Sequence, residues 1–165
     1  KSPEFLAMNP NGQVPVLQDD DVTVSDSNAI LVYLARTYAP DWMPSTPIGE
    51  ANVQRWLTLA AGEVAFGSCA ARLITVFGAP LDVDFADATA TKAMQKLEQG
   101  LEGRDWLVGD RPTIADVANY SYTAHAPEGN VSLDPYPNVR AWLARFEALP
   151  GFQAMPATAV GLAAE

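Results

Sequence analysis

One cysteine, Cys69, and one histidine, His125, stand in a chain of 165 residues. A lone thiol closes no internal disulfide, and one thiol with one imidazole makes no zinc-binding cluster. Basic residues are scarce too: Lys and Arg total 10 against 20 Asp and Glu, a net charge of -10. Such a surface repels phosphate backbones, so no nucleic acid partner is expected. Long apolar runs are missing. The longest, Ala29–Ala35, has seven residues, against the ~18 of a membrane span. Neither a membrane segment nor a signal peptide is expected, and the expected compartment is the cytoplasm.

What is present is core material. The chain is 48% hydrophobic, with four Trp, six Phe and five Tyr. That composition excludes a disordered chain. Ser2 is placed to cap a helical turn over residues 2–8, with Pro3 in the first helical position. Lys1 is not Met and already borders this helix end, so a segment is expected ahead of it. Asn9-Pro10-Asn11-Gly12 is turn punctuation. Val14-Pro15-Val16-Leu17 reads as a strand, Asp19-Asp20-Asp21 as a turn, and Val22-Thr23-Val24 as the returning strand of a hairpin.

Ser25-Asp26-Ser27-Asn28 opens a helix with Ile30, Leu31, Leu34 and Tyr38 expected on its inner face. Pro40, Pro44 and Pro47 mark a linker. The rest reads as helix. Residues 48–77 carry Val53, Trp56, Leu57, Ala60 and Val64 on one stripe, and Gly78 and Pro80 end it. Residues 85–102 place Ala93, Met94, Leu97 and Leu101 inside. Thr113 opens a helix running to about His125. Residues 137–149 place Val139, Trp142, Leu143, Phe146 and Leu149 on one face. The expected organisation is an α/β unit over 1–39, a linker over 40–47 and an all-α domain over 48–165. The α/β unit needs more strands or a partner, since a lone hairpin is marginal in water.

Three motifs in register carry a resemblance: Asn9–Leu17 (NPNGQVPVL), Ser25–Ile30 (SDSNAI) and Pro112–Asp116 (PTIAD). Together with Tyr136–Val139 and Pro150-Gly151-Phe152, they resemble the cytosolic glutathione S-transferase family over nearly the whole chain. His125–Gly129 (HAPEG) resembles its bacterial members. The resemblance implies a thioredoxin-like α/β domain, partial here, followed by an all-α helical bundle. It implies glutathione as co-substrate, a small hydrophobic electrophile as second substrate, a homodimer covering apolar surface on helices 27–38 and 48–77, and no metal. The implied activity is glutathione binding and, in a protein that also carries the segment expected ahead of Lys1, transfer of glutathione to electrophiles, a detoxification chemistry; the 165 residues by themselves are expected to show no turnover. The alternatives are glutathione-dependent disulfide or peroxide reduction, or a non-catalytic interaction module.

Residue roles follow from the same resemblance. Val14–Pro15 is expected to be cis, with the Val14 N–H and C=O pairing with the cysteinyl part of glutathione as an added strand would. Ser27, at a helix N-terminus, is expected to hold the γ-glutamyl carboxylate. Asp26, where the family usually has Glu or Gln, faces the γ-glutamyl ammonium. Gln13 is expected near the glycine carboxylate, with Lys1 a weaker candidate. Glu63, Phe66, Gly67 and Ala70 are candidates for the electrophile pocket, with Gly62, Gly67 and Ser68 leaving room for a ligand or for close helix packing. Cys69 reads as a buried small hydrophobe and His125 as a structural hydrogen-bonding group. Thr113 and Asp116 form a structural capping box, whose loss by Asp116→Ala is expected to cost ~1–2 kcal/mol. The family's catalytic Tyr, Ser or Cys lies in a first strand–helix turn. That turn belongs to the strand–helix–strand segment expected ahead of Lys1, so no residue of this chain is assigned the catalytic role.

Overall fold

The computed structural model describes residues 1–164. Helix α1 (Pro3–Met8) begins where Ser2 Oγ accepts the Phe5 N–H at 3.3 Å. Strands β1 (Val16–Asp19) and β2 (Val22–Ser25) pair antiparallel, Val16 opposite Ser25 and Asp19 opposite Val22. Helix α2 (Ser27–Tyr38) follows directly. Val14 and Pro15 precede the strand instead of opening it, because Pro15 has no N–H to donate to a ladder. Asp19 belongs to the strand and not to the turn. Its carboxylate accepts the Tyr33 hydroxyl at 2.8 Å and the Tyr38 hydroxyl as well. These two bonds fasten the hairpin to α2. They hold the Asp19 carboxyl below its usual range and push the Tyr38 phenol up to about 12.

Tyr38 therefore does not lie on the inner face of α2 as its spacing suggests; it is 63% exposed. The residue α2 buries is Ala35, with Leu31 and Val32 packed against the helical core. A turn of 3₁₀ helix over Pro40–Trp42 leads to the helical part.

The helix from Pro47 to Phe77 is continuous but not uniform. It is α-helical as α3 (Pro47–Leu59), widens to a π-helix over Ala60–Cys69, and returns as α4 (Ala70–Phe77). Where the α-helix gives way to the π segment, the Ala60 N–H is shared between the Trp56 and Leu57 carbonyls. Two asparagines supply donors there: Asn119 Nδ2 to the Trp56 carbonyl at 3.0 Å and Asn28 Nδ2 to the Leu57 carbonyl at 3.0 Å. Gly78, at φ 65°, closes α4. By length and composition this helix could cross a bilayer. The run-length count misses this because Gly, Thr and Ser, with single charged residues such as Glu63 and Arg72, interrupt its apolar residues. Its Val53, Trp56, Leu57, Leu59 and Val64 are buried in the protein's own core.

Helix α5 (Val83–Gly100) lies along the π segment. Contact is close enough that a Cβ on Gly67 would strike the α5 backbone at Ala90. Gly67 therefore makes room for a helix and not for a ligand. Helix α6 (Ile114–Ala124) runs against α3 and the π segment, and α7 (Pro137–Glu147) covers it. Met94, Leu97, Val53, Val139 and Trp142 are fully buried between these helices. Leu101 and Leu149 serve the core from just beyond the ends of α5 and α7.

Candidate functional site

The candidate site begins with the residues after α1. Asn9 ends that helix, its N–H donating to the Phe5 carbonyl at 3.0 Å, and its carbonyl accepts the Gly12 N–H at 2.8 Å. Gly12 has φ 63°, a region open to glycine, and a side chain there would collide with Lys1. The Val14–Pro15 bond is cis. Val14 is 80% exposed, and among the described residues its N–H and C=O make no hydrogen bond to the rest of the chain.

From the other side comes the start of α2. Asp26 holds φ 80° and ψ 127°, a rare backbone for a residue with a Cβ, and its Oδ1 accepts the Ala29 N–H at 3.0 Å. Asp26 thus caps the helix while its second carboxylate oxygen stays available. The Ser27 and Asn28 N–H groups stand at the positive end of a 12-residue helix.

These segments border an open cavity of about 910 Å³. Its walls include Lys1, Ser2, Phe5, Asn9, Gln13, Val14, Pro15, Asp26 and Ser27. All five residues singled out for glutathione (Gln13, Val14, Pro15, Asp26 and Ser27) line this one space, with Lys1. Asn9 lines it too. In the sequence it looked like turn punctuation; its spacing four residues before Gln13 was the available signal.

The candidate electrophile-pocket residues do not line this cavity. Glu63 faces a separate groove of about 860 Å³ between α3 and α5, where it pairs with Lys96. The Lys96 ammonium holds its carboxyl below the usual range. Phe66 is 62% exposed. Ala70 packs with Ala71 and Ala86 in a small cluster. Cys69 is half-buried, not fully buried, and burial pushes its thiol up. That direction disfavours a thiolate nucleophile. His125 donates or accepts at Nδ1 against Glu128 Oε1 at 2.5 Å, a structural contact. Thr113 and Asp116 form the capping box.

The comparisons with known proteins agree with one another. Residues 1–36 match the model of the glutathione S-transferase N-terminal domain, and residues 81–150 that of the C-terminal domain. A probable glutathione S-transferase of Oryza sativa subsp. japonica is 34% identical over 168 residues, covering 93% of this chain and 76% of its own length. A glutathione S-transferase from Xanthobacter autotrophicus Py2 superimposes with a TM-score of 0.84 at 36% identity, covering 94% of this chain and 78% of that one. A glutathione transferase homologue from Drosophila mojavensis, solved with bound glutathione, has a TM-score of 0.78 at 28% identity, over 91% of this chain and 71% of that one. The α/β unit with its cis-proline loop, the helical bundle behind it and these matches over both parts place the chain in the glutathione S-transferase family.

Proposed function

We propose that the protein binds glutathione in the cavity between α1, the 9–15 loop and the start of α2, and transfers it to small hydrophobic electrophiles. The observation that carries this is the meeting of two recognition surfaces in one space: the unpaired Val14 backbone and the N-terminus of α2. Val14 offers one donor and one acceptor, the complement of a peptide strand. The first N–H groups of α2 and the Ser27 hydroxyl suit the γ-glutamyl carboxylate, and the free oxygen of Asp26 suits the neighbouring ammonium. Gln13 and Lys1, in the wall of the same cavity, would serve the glycine carboxylate. Glutathione is an anion and the chain carries -10, so attraction must come from these local groups and not from the overall field. In the transfer step the thiolate sulfur forms a bond to the electrophilic carbon, and the leaving group departs with its electron pair.

Titration calorimetry tests the binding. Glutathione should bind the parent protein, and Ser27→Ala should weaken it by roughly tenfold, the cost of one charge-assisted contact. A parent protein that takes up no glutathione overturns the proposal.

We also propose a homodimer. Ile48, Phe66 and Phe77, on the helix from Pro47 to Phe77, are 70%, 62% and 67% exposed, and large apolar groups at such exposure mark a surface meant to be covered. Sedimentation equilibrium should give the mass of two chains; a monomer at micromolar concentration refutes this.

A further inference from the structure

We infer that Asn9 is a positioning residue for glutathione, acting through the peptide unit that joins Gln13 to Val14. This rests on the proposed role of the Val14 backbone. Asn9 is 5% exposed and employs every polar atom it has. Its backbone N–H and C=O bond Phe5 and Gly12 at 3.0 and 2.8 Å. Its side-chain Oδ1 accepts the Asn11 N–H at 3.2 Å, and its Nδ2 donates to the Gln13 carbonyl at 2.8 Å. One buried side chain therefore braces both ends of the loop from Asn11 to Gln13.

The last of these bonds reaches the ligand through geometry. A trans peptide unit is planar, with its C=O and N–H pointing in opposite directions. The Gln13 carbonyl and the Val14 N–H belong to one such unit. Aiming the carbonyl at the Asn9 amide therefore aims the Val14 N–H the opposite way, and Val14 lines the cavity. Without Asn9 the unit can rotate, and the donor expected to meet the cysteinyl carbonyl loses its direction. Asn9 lines the cavity, but its polar atoms are all taken by Phe5, Asn11, Gly12 and Gln13, so its effect is on the order of the backbone it holds.

Two variants separate this from a general role in folding. Asn9→Asp keeps the acceptor toward Asn11 but replaces the donor toward Gln13 with a carboxylate oxygen. Asn9→Ala removes both. Each should raise the dissociation constant for glutathione, measured by calorimetry, by roughly tenfold or more. The Michaelis constant for the electrophile should stay unchanged. Tyr38→Phe is the control: it loosens the same domain at Asp19, away from the cavity, and should leave glutathione affinity within about twofold. If the parent protein binds glutathione and a folded Asn9→Asp binds it equally well, the inference is wrong while the proposed function stands. If Tyr38→Phe weakens binding as much as Asn9→Asp does, the effect is general loosening and the inference also fails. A parent that binds no glutathione removes both.

Discussion

Asp116→Ala is expected to lower the unfolding temperature by about 10 °C, because it strands several buried donors at once. Asp116 is 0% exposed. Its Oδ2 accepts the Thr113 N–H at 2.8 Å and the Thr113 hydroxyl at 3.1 Å. Its Oδ1 accepts the Leu107 N–H at 3.0 Å and the Trp142 indole N–H at 3.0 Å. The first pair is the capping box. The second ties the loop before α6 and the middle of α7 to the same carboxylate. Burial pushes the Asp116 carboxyl up, and these four donors pull against it. A cap alone contributes ~1–2 kcal/mol. With Leu107 and Trp142 also left without a partner, the loss is about 4 kcal/mol. Asp116→Asn should fall between the parent and Asp116→Ala: it keeps an acceptor oxygen but turns an amide N–H toward a donor. Thermal unfolding followed by circular dichroism measures both, and a change of only a few degrees for the alanine variant would show that the carboxylate acts as a cap and nothing more.

The second large effect is expected at Glu128, which is 2% exposed. Its Oε2 accepts Arg72 Nε at 2.7 Å, and its Oε1 faces His125 Nδ1 at 2.5 Å and accepts the Thr158 N–H at 3.0 Å. Arg72 lies on α4, His125 ends α6, and Thr158 lies in the C-terminal segment. One carboxylate thus joins three parts of the chain. Glu128→Ala leaves the largely covered Arg72 guanidinium without its partner and should cost about 3 kcal/mol.

The acid dependence has a definite sign. Burial pushes the Glu128 carboxyl up, but His125, Thr158 and Arg72 outweigh it and hold it down at about 2, against an ordinary 4.5. A carboxyl depressed on folding stabilises the protein fully above its unfolded value and loses that contribution as pH falls toward the folded value. The stability difference between the parent and Glu128→Gln should therefore be constant near neutrality and shrink from about pH 5 toward 2. Urea unfolding midpoints across that range measure it. A difference that does not change with pH would mean that the charge of Glu128 contributes nothing, and only its shape matters.

Much of the site was legible in the sequence because its chemistry is local. Asp26 and Ser27 announce a helix N-terminus by residue type, and Pro15 forbids a ladder donor wherever it stands. The capping box needs only Thr113 and Asp116 at their spacing. The positions of the buried helices followed from periodicity, as at Val139, Trp142, Leu143 and Phe146.

What the sequence could not express was which partner each polar group meets across the fold. Leu107 and Trp142 reach Asp116 from distant positions, and nothing in a four-residue motif predicts them. Tyr38 has the spacing of a core residue, but the hairpin beneath α2 offers its hydroxyl the Asp19 carboxylate. Gly67 reads equally as space for a ligand or for a helix, and only the passage of α5 at Ala90 decides. Asn9 looks like a turn residue until the Gln13 carbonyl is seen against its amide. Short-range patterning determined the elements and the residue types of the site, because capping, turn geometry and helical period act within a few residues. The Asn9 amide turns the Gln13–Val14 peptide from only four residues away, but tertiary packing decided the bonds from Trp142 to Asp116 and from Arg72 and Thr158 to Glu128, because those form only when distant segments are brought together.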